Sequence, residues 1–141
     1  MLNQIIHLDG LDKSGKSSLL KHIVKESKGR YLVHDRSFIS QIAYGRIFKR
    51  DINEEYFWNK FETHSMLNEK FVYLECNADV MIKRIKDNSE TDIGVLDIVP
   101  HKKVFEEVIR IAKENQNINV IRINNTFQTI SQTYSELQSK L

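Results

Sequence analysis

Residues 4–18 read Gln4-Ile5-Ile6-His7-Leu8-Asp9-Gly10-Leu11-Asp12-Lys13-Ser14-Gly15-Lys16-Ser17-Ser18, and the stretch from Gly10 to Ser17 is a complete G-x-x-x-x-G-K-[ST] phosphate-binding loop. The chemistry needs this pattern. Glycines let the backbone curl until successive N–H groups point inward at a polyphosphate. Lys16 can reach the β- and γ-phosphates, and the Ser17 hydroxyl is placed to bind Mg²⁺. A helix starting at Lys16 or Ser17 turns its positive end toward the same anion. The flanks agree with this context: a β-branched run, Gln4 to Asp9, leads in, and Leu19, Leu20, Ile23 and Val24 follow at helical spacing.

The composition sets bounds. At 141 residues the chain is read as one domain, residues 1–141, with 40% hydrophobic and 28% charged residues. A net charge of +2 without a concentrated basic run argues against duplex binding. One cysteine, Cys76, excludes an internal disulfide and fits a reducing compartment; it closes an apolar run and reads as a buried thiol. No leader-like segment and no apolar run of membrane-spanning length is found, so a cytoplasmic location is expected.

Outward from the loop, strand and helix patterns alternate. A helix over about 16–28 ends at Gly29, and Arg30 to His34 reads as a strand that delivers Asp35 and Arg36 at its end. Helices follow over about 37–49 and from the capping residue Asn53, whose first turn carries Glu54 and Glu55. Phe71 to Cys76 is apolar enough for a central strand. Residues 79–87 read as helix, 88–99 as a loop, and Pro100 as the start of the next helix. Asn119 to Ile123 is the fourth strand, and the last helix carries Phe127, Ile130, Tyr134, Leu137 and Leu141. The expected fold is α/β: a three-layer α/β/α phosphate-loop fold with a reduced, mainly four-stranded parallel sheet. Ligands in such sheets bind at the carboxyl ends of the strands, where the loop, Asp35 and Arg36 all fall.

Asp35-Arg36-Ser37 is the second constellation. A carboxylate there can hold Mg²⁺ through water or take the proton of an attacking hydroxyl, and the guanidinium can clamp a phosphate. The structural alternative is an Asp–Arg pair that ends a strand and caps a helix.

Asp35-Arg36-Ser37-Phe38-Ile39-Ser40-Gln41-Ile42-Ala43-Tyr44 resembles the Asp-Arg-Tyr…Ser…Ala-Tyr-Gln stretch of thymidylate kinases. Leu8 to Ser18 is similar to their Glu-Gly-x-Asp-x-x-Gly-Lys-[ST]-[ST] loop. The resemblance implies ATP and Mg²⁺ as cofactors, with Gly10, Asp12, Lys13, Ser14, Gly15, Lys16, Ser17 and Ser18 around the ATP phosphates. It places Asp12 against the acceptor sugar and Lys13 near the γ-phosphate, as in the subgroup whose lid lacks arginines; residues 88–99 hold no Arg or Lys. Lys83-Arg84-Ile85-Lys86 looks like the helix that precedes the lid. Lys13, Lys16, Asp35 and Arg36 become the candidate catalytic residues, Ser17 and Asp35 the metal ligands, and Asp12, Arg36 and Tyr44 the acceptor contacts. A homodimer is also implied.

The chain departs from the family in one place. Seventeen residues, 18–34, separate Ser17 from Asp35, where thymidylate kinases carry a longer segment with a Phe-Pro-x-Arg motif that holds the acceptor. Tyr44, Arg46, Phe57, Trp58 and Lys60 are candidate replacements, set against core packing for the aromatics and solvated surface for the cations. Three functions follow. The first is transfer of the ATP γ-phosphoryl to a (deoxy)nucleoside monophosphate, thymidylate foremost. The second is a kinase for a hydroxyl acceptor, such as a nucleoside, a polynucleotide 5′-hydroxyl or a small metabolite, with Asp35 as base. The third is a nucleotide-binding module without catalysis.

Overall fold

Parallel pairing throughout organises the chain: a single sheet of four strands runs in the order β2-β1-β3-β4. The computed structural model describes residues 3–11, 13–87 and 92–141. Its strands are β1 (Gln4–Asp9), β2 (Tyr31–Asp35), β3 (Lys70–Glu75) and β4 (Val120–Asn124). Its helices are α1 (Lys16–Ser27), α2 (Phe38–Ile47), α3 (Glu54–Met66), α4 (Ala78–Asp87), α5 (Asp92–Gln116) and α6 (Ile130–Lys140).

Two apolar layers cover the sheet, and the strand alternation shows why. On β3, Val72 and Leu74 join Ile6 and Leu8 of β1 against Leu19 and Ile23 of α1 and Leu137 of α6. Phe71 and Tyr73 point the other way, into a cluster with Ile39 and Ile42 of α2, Phe61 of α3, Met81 of α4 and Phe105 of α5. Phe71 through Leu74 are all buried, as expected of a strand covered on both faces. Because Ile6 and Leu8 take one face of β1, His7 and Asp9 are left on the face toward α2 and α3.

Local signals set several boundaries as expected. The Asn53 side chain accepts from Tyr56 N–H to start α3, with Glu54 and Glu55 in the first turn. Cys76 is buried and unpaired. Three expectations are corrected. The loop read over 88–99 is helical from Asp92, and Pro100 lies inside α5 rather than at its start; residues 88–91 lie outside the described residues. Proline costs that helix one N–H donor, but burial of Ile98 in the core cluster holds the turn before it in place. Phe127 is 91% exposed and precedes α6, because Thr129 and Gln132 form a reciprocal capping box that starts the helix at Ile130. Val24 is exposed and takes no part in the α1 stripe.

The junction that positions the site is a buried carboxylate. Asp9, fully buried at the end of β1, accepts Ser37 N–H at 2.8 Å, Ser37 Oγ at 2.5 Å and Ser40 Oγ at 2.5 Å. Ser40 N–H approaches the same oxygen at 3.3 Å. Arg36 N–H meanwhile donates to the Leu8 carbonyl at 2.9 Å. The end of β2 and the start of α2 are thus tied to the last residues before the phosphate loop. Burial pushes the Asp9 carboxyl above its ordinary range, while the Ser37 and Ser40 hydrogen bonds oppose that shift.

Two stability predictions follow from this packing, both read by urea unfolding. Asp9→Ala leaves the serine donors unanswered and should cost about 3 kcal/mol, against about 1 kcal/mol for Ser40→Ala. Phe61→Ala should cost about 3–5 kcal/mol, whereas Phe127→Ala should stay within about 0.5 kcal/mol.

Candidate active site

The loop between β1 and α1 closes around its own backbone. Gly15 takes φ +93°, a left-handed conformation that a side chain would strain, and a Cβ there would stand 2.9 Å from Asn125 Nδ2. A Cβ on Gly10 would meet Ser14 Oγ at 2.7 Å and the Leu74 carbonyl at 3.1 Å. Gly15 precedes α1 without any side-chain cap, and the first turn holds no acidic residue. The first N–H groups of α1 are therefore left for an anion.

Lys13, Gly15, Lys16, Ser17, Ser18, Asp35 and Arg36 line one open cavity of about 590 Å³, with Leu11 as an apolar wall. Lys16 is buried along its length, and its Nζ forms an ion pair with the Asp35 carboxylate. Asp35 itself is 56% exposed, so it can face a ligand while holding the lysine. Arg36 adopts φ +76°, uncommon for a residue with a side chain, and its guanidinium lies 5.2 Å over the Tyr44 ring. Tyr44 packs edge-on against Phe105 and stacks on Phe48.

A second cavity of about 290 Å³ adjoins the first, sharing Lys13, Gly15 and Ser18 and adding Leu19, Arg84, Asn125, Gln128, Ile130 and Thr133. Two of these residues brace the loop. Arg84 of α4 donates to the Lys13 carbonyl at 2.6 Å, and Asn125 Nδ2 donates to the Ser14 carbonyl at 2.6 Å. Ser14 Oγ and Asn125 Oδ1 are buried without a hydrogen-bond partner among the described residues.

The structure thus brings together Lys13, Gly15, Lys16, Ser17, Ser18, Asp35 and Arg36, with Gly10 and Ser14 shaping the loop and Tyr44 behind Arg36. Asp12 lies outside the described residues. The other proposed replacements are engaged elsewhere. Arg46 pairs with Glu54 at 2.5 Å, and Trp58 Nε1 donates to that same carboxylate at 3.0 Å. Phe57 packs on the core cluster, and Lys60 lies over the Tyr56 ring. None of these four lines either cavity. Sequence reasoning missed Asp9, Asn125 and Gln128 as site-building residues. The available signal was position: an acid directly before Gly10, and the polar run Asn124-Asn125-Thr126 at the end of the last strand, both at the carboxyl edge.

Among solved structures, the YorR protein of Bacillus subtilis, crystallised in complex with phosphorylated GDP, superposes with a TM-score of 0.80 at 17% identity, over 97% of this chain and 95% of that one. This likeness shows the fold. The thymidylate kinase of Campylobacter lari is 26% identical over 106 residues, covering 73% of this chain and 54% of its own length. That of Clostridium novyi is 26% identical over 133 residues, covering 91% of this chain and 64% of its own. That of Campylobacter jejuni strain 81116 is 23% identical over 107 residues, and the chain spans only 55% of its length. The chain thus spans a little over half to nearly two thirds of the length of these curated relatives. No helix among the described residues is long and apolar enough to cross a membrane. The family model described as thymidylate kinase matches residues 21–133, so the stretch from α1 through the first turn of α6, Asp35-Arg36 included, places the chain in the thymidylate kinase family.

Proposed function

We propose that the chain transfers the γ-phosphoryl group of ATP to a (deoxy)nucleoside monophosphate, with thymidylate the foremost acceptor. One observation carries this reading: Lys16 at the start of α1 and Arg36 just after β2 line the same cavity, and Asp35 beside Arg36 pairs with Lys16. A polyphosphate in the loop draws Lys16 Nζ from Asp35 to the β- and γ-phosphates. The second cavity takes the donor nucleoside, with Asn125, whose Oδ1 is buried without a hydrogen-bond partner among the described residues, and Gln128, held by Glu136 and Thr133, in its wall. Lys13 lies where the two cavities meet and faces the transferring group.

The acceptor phosphate docks on Arg36, whose guanidinium is steadied by the Tyr44 ring. An acceptor phosphate oxygen then bonds to the γ-phosphorus as the bond to the β–γ bridging oxygen breaks, giving a diphosphate and ADP. Such a step asks for positioning and charge neutralisation more than covalent chemistry. The Ser17 hydroxyl and Asp35 carboxylate line the same wall and supply hard oxygen donors, a set that suits Mg²⁺ with water completing its shell. When bound there, Mg²⁺ supplies positive charge to the phosphate oxygens. Asp12 contacts to the acceptor sugar remain part of the proposal.

The test is transfer of labelled γ-phosphate from ATP to deoxynucleoside monophosphates, nucleosides and a 5′-hydroxyl oligonucleotide. Label should appear in a diphosphate, chiefly that of thymidine. Label on a hydroxyl acceptor, or on none while ATP is still bound, would contradict the reading. Lys16→Ala should lower kcat at least about a hundredfold. Asn125→Ala should mainly raise the KM for ATP, by about three- to tenfold. Full activity in the lysine variant would remove this loop from the mechanism.

A further inference from the structure

Beneath the Asp9 junction, on the same face of β1, three side chains converge whose chemistry phosphoryl transfer does not use. His7 Nε2 lies 2.5 Å from Glu69 Oε1, and His64 Nδ1 lies 2.7 Å from Glu69 Oε2. The ligand atoms of all three residues fall within 4.8 Å of one another. They come from three separate places: the middle of β1, the last turn of α3 and the turn into β3. The chain reversal brings two of them together. Asn68 takes φ +63°, and Glu69 N–H reaches back to the His64 carbonyl at 3.4 Å. His7 is fixed by stacking on Phe71 at 4.6 Å and on His34 at 4.9 Å. Its ring stands nearly perpendicular to that of His64, at 87°.

We infer that His7, His64 and Glu69 form a structural binding site for a transition-metal dication, Zn²⁺ by preference. Two imidazole nitrogens and one carboxylate oxygen are a donor set that favours Zn²⁺ over Mg²⁺ or Ca²⁺. The side chains of His7 and Glu69 are only 8% and 9% exposed, whereas that of His64 is 35% exposed and leaves a route for the ion and a fourth ligand from water. With metal bonds of about 2.0–2.2 Å, a tetrahedral centre spaces its ligand atoms by about 3.3–3.6 Å, so the 2.5 Å and 2.7 Å contacts open by about 1 Å while the most distant pair, within 4.8 Å, closes by about 1.5 Å at most. Metal then takes the place of the hydrogen-bonding protons between the imidazoles and the carboxylate, and those protons move to the far ring nitrogens or to solvent. The ion would pin the α3–β3 corner to the central strand. It touches neither cavity of the active site.

The experiment uses the whole chain, stripped with chelator and titrated with Zn²⁺ by calorimetry, with Co²⁺ as a spectroscopic substitute. The expected result is one saturable Zn²⁺ site per chain, a tetrahedral Co²⁺ absorption band and a raised Tm in Zn²⁺. His64→Gln and Glu69→Gln should each weaken binding by at least about tenfold to a hundredfold, while His22→Gln, on the far face of α1, should leave it unchanged. Circular dichroism in chelator checks each variant's fold. If Glu69→Gln does not fold, His64→Gln decides alone, since its ring lies at the solvent edge. Absence of saturable binding, or binding of equal strength in His64→Gln, overturns the inference and leaves the triad a purely hydrogen-bonded corner.

Discussion

Everything at the site depends on where Asp9 is buried. A carboxylate without water is costly, and this one is accommodated because two serine hydroxyls and two backbone N–H groups converge on it at the start of α2. The α2 dipole adds to that stabilisation. The consequence is geometric. Asp9 is covalently next to Gly10, and Ser37 is next to Arg36, so one buried group sets the spacing between the phosphate loop and the Asp35-Arg36 pair. Lys16 then finds Asp35 across the gap without any contribution from solvent-exposed loops. A site fixed in this way is preorganised for charge, which is what phosphoryl transfer demands.

The opposite side of the loop is braced from elsewhere. Arg84 and Asn125 hold the carbonyls of Lys13 and Ser14, which braces the loop backbone from the side away from Asp35. Positive φ at Lys13, Gly15 and Arg36 marks three places where the backbone bends sharply around the same space. Contacts from α4, β4 and α2 offset that conformational cost, so the loop is supported by the whole carboxyl edge of the sheet.

Much of this was legible in the sequence, for identifiable reasons. Strand, glycine loop and helix follow from residues 4–24 because each uses strong local chemistry: β-branched residues, obligatory glycines, and leucines at helical spacing. Asn53 announced its helix because capping is a property of one side chain and its neighbours. What failed needed distant partners. Gly94 and Pro100 argue locally against a helix, yet α5 runs through them, with Ile98 buried in the cluster that α5 shares with α2, α3 and α4. Phe127 fitted the α6 spacing, but capping by Thr129 began the helix after it. Phe57 and Trp58 are open to stacking or core packing from sequence, and the structure packs both, partly buried, against the core cluster. Asp9 was hidden because a lone acid at a strand end has no periodicity, and its serine partners lie nearly thirty residues away.

A crystal structure with a bisubstrate analogue, adenosine and thymidine joined through a polyphosphate, tests the arrangement most directly. The account places the bridging phosphates between Lys16 Nζ and the Arg36 guanidinium, the adenosine beside Asn125 and Gln128, and the thymidine end toward Tyr44. A bound analogue whose phosphates lie away from the loop, or whose thymidine end makes no approach to Arg36, would contradict it.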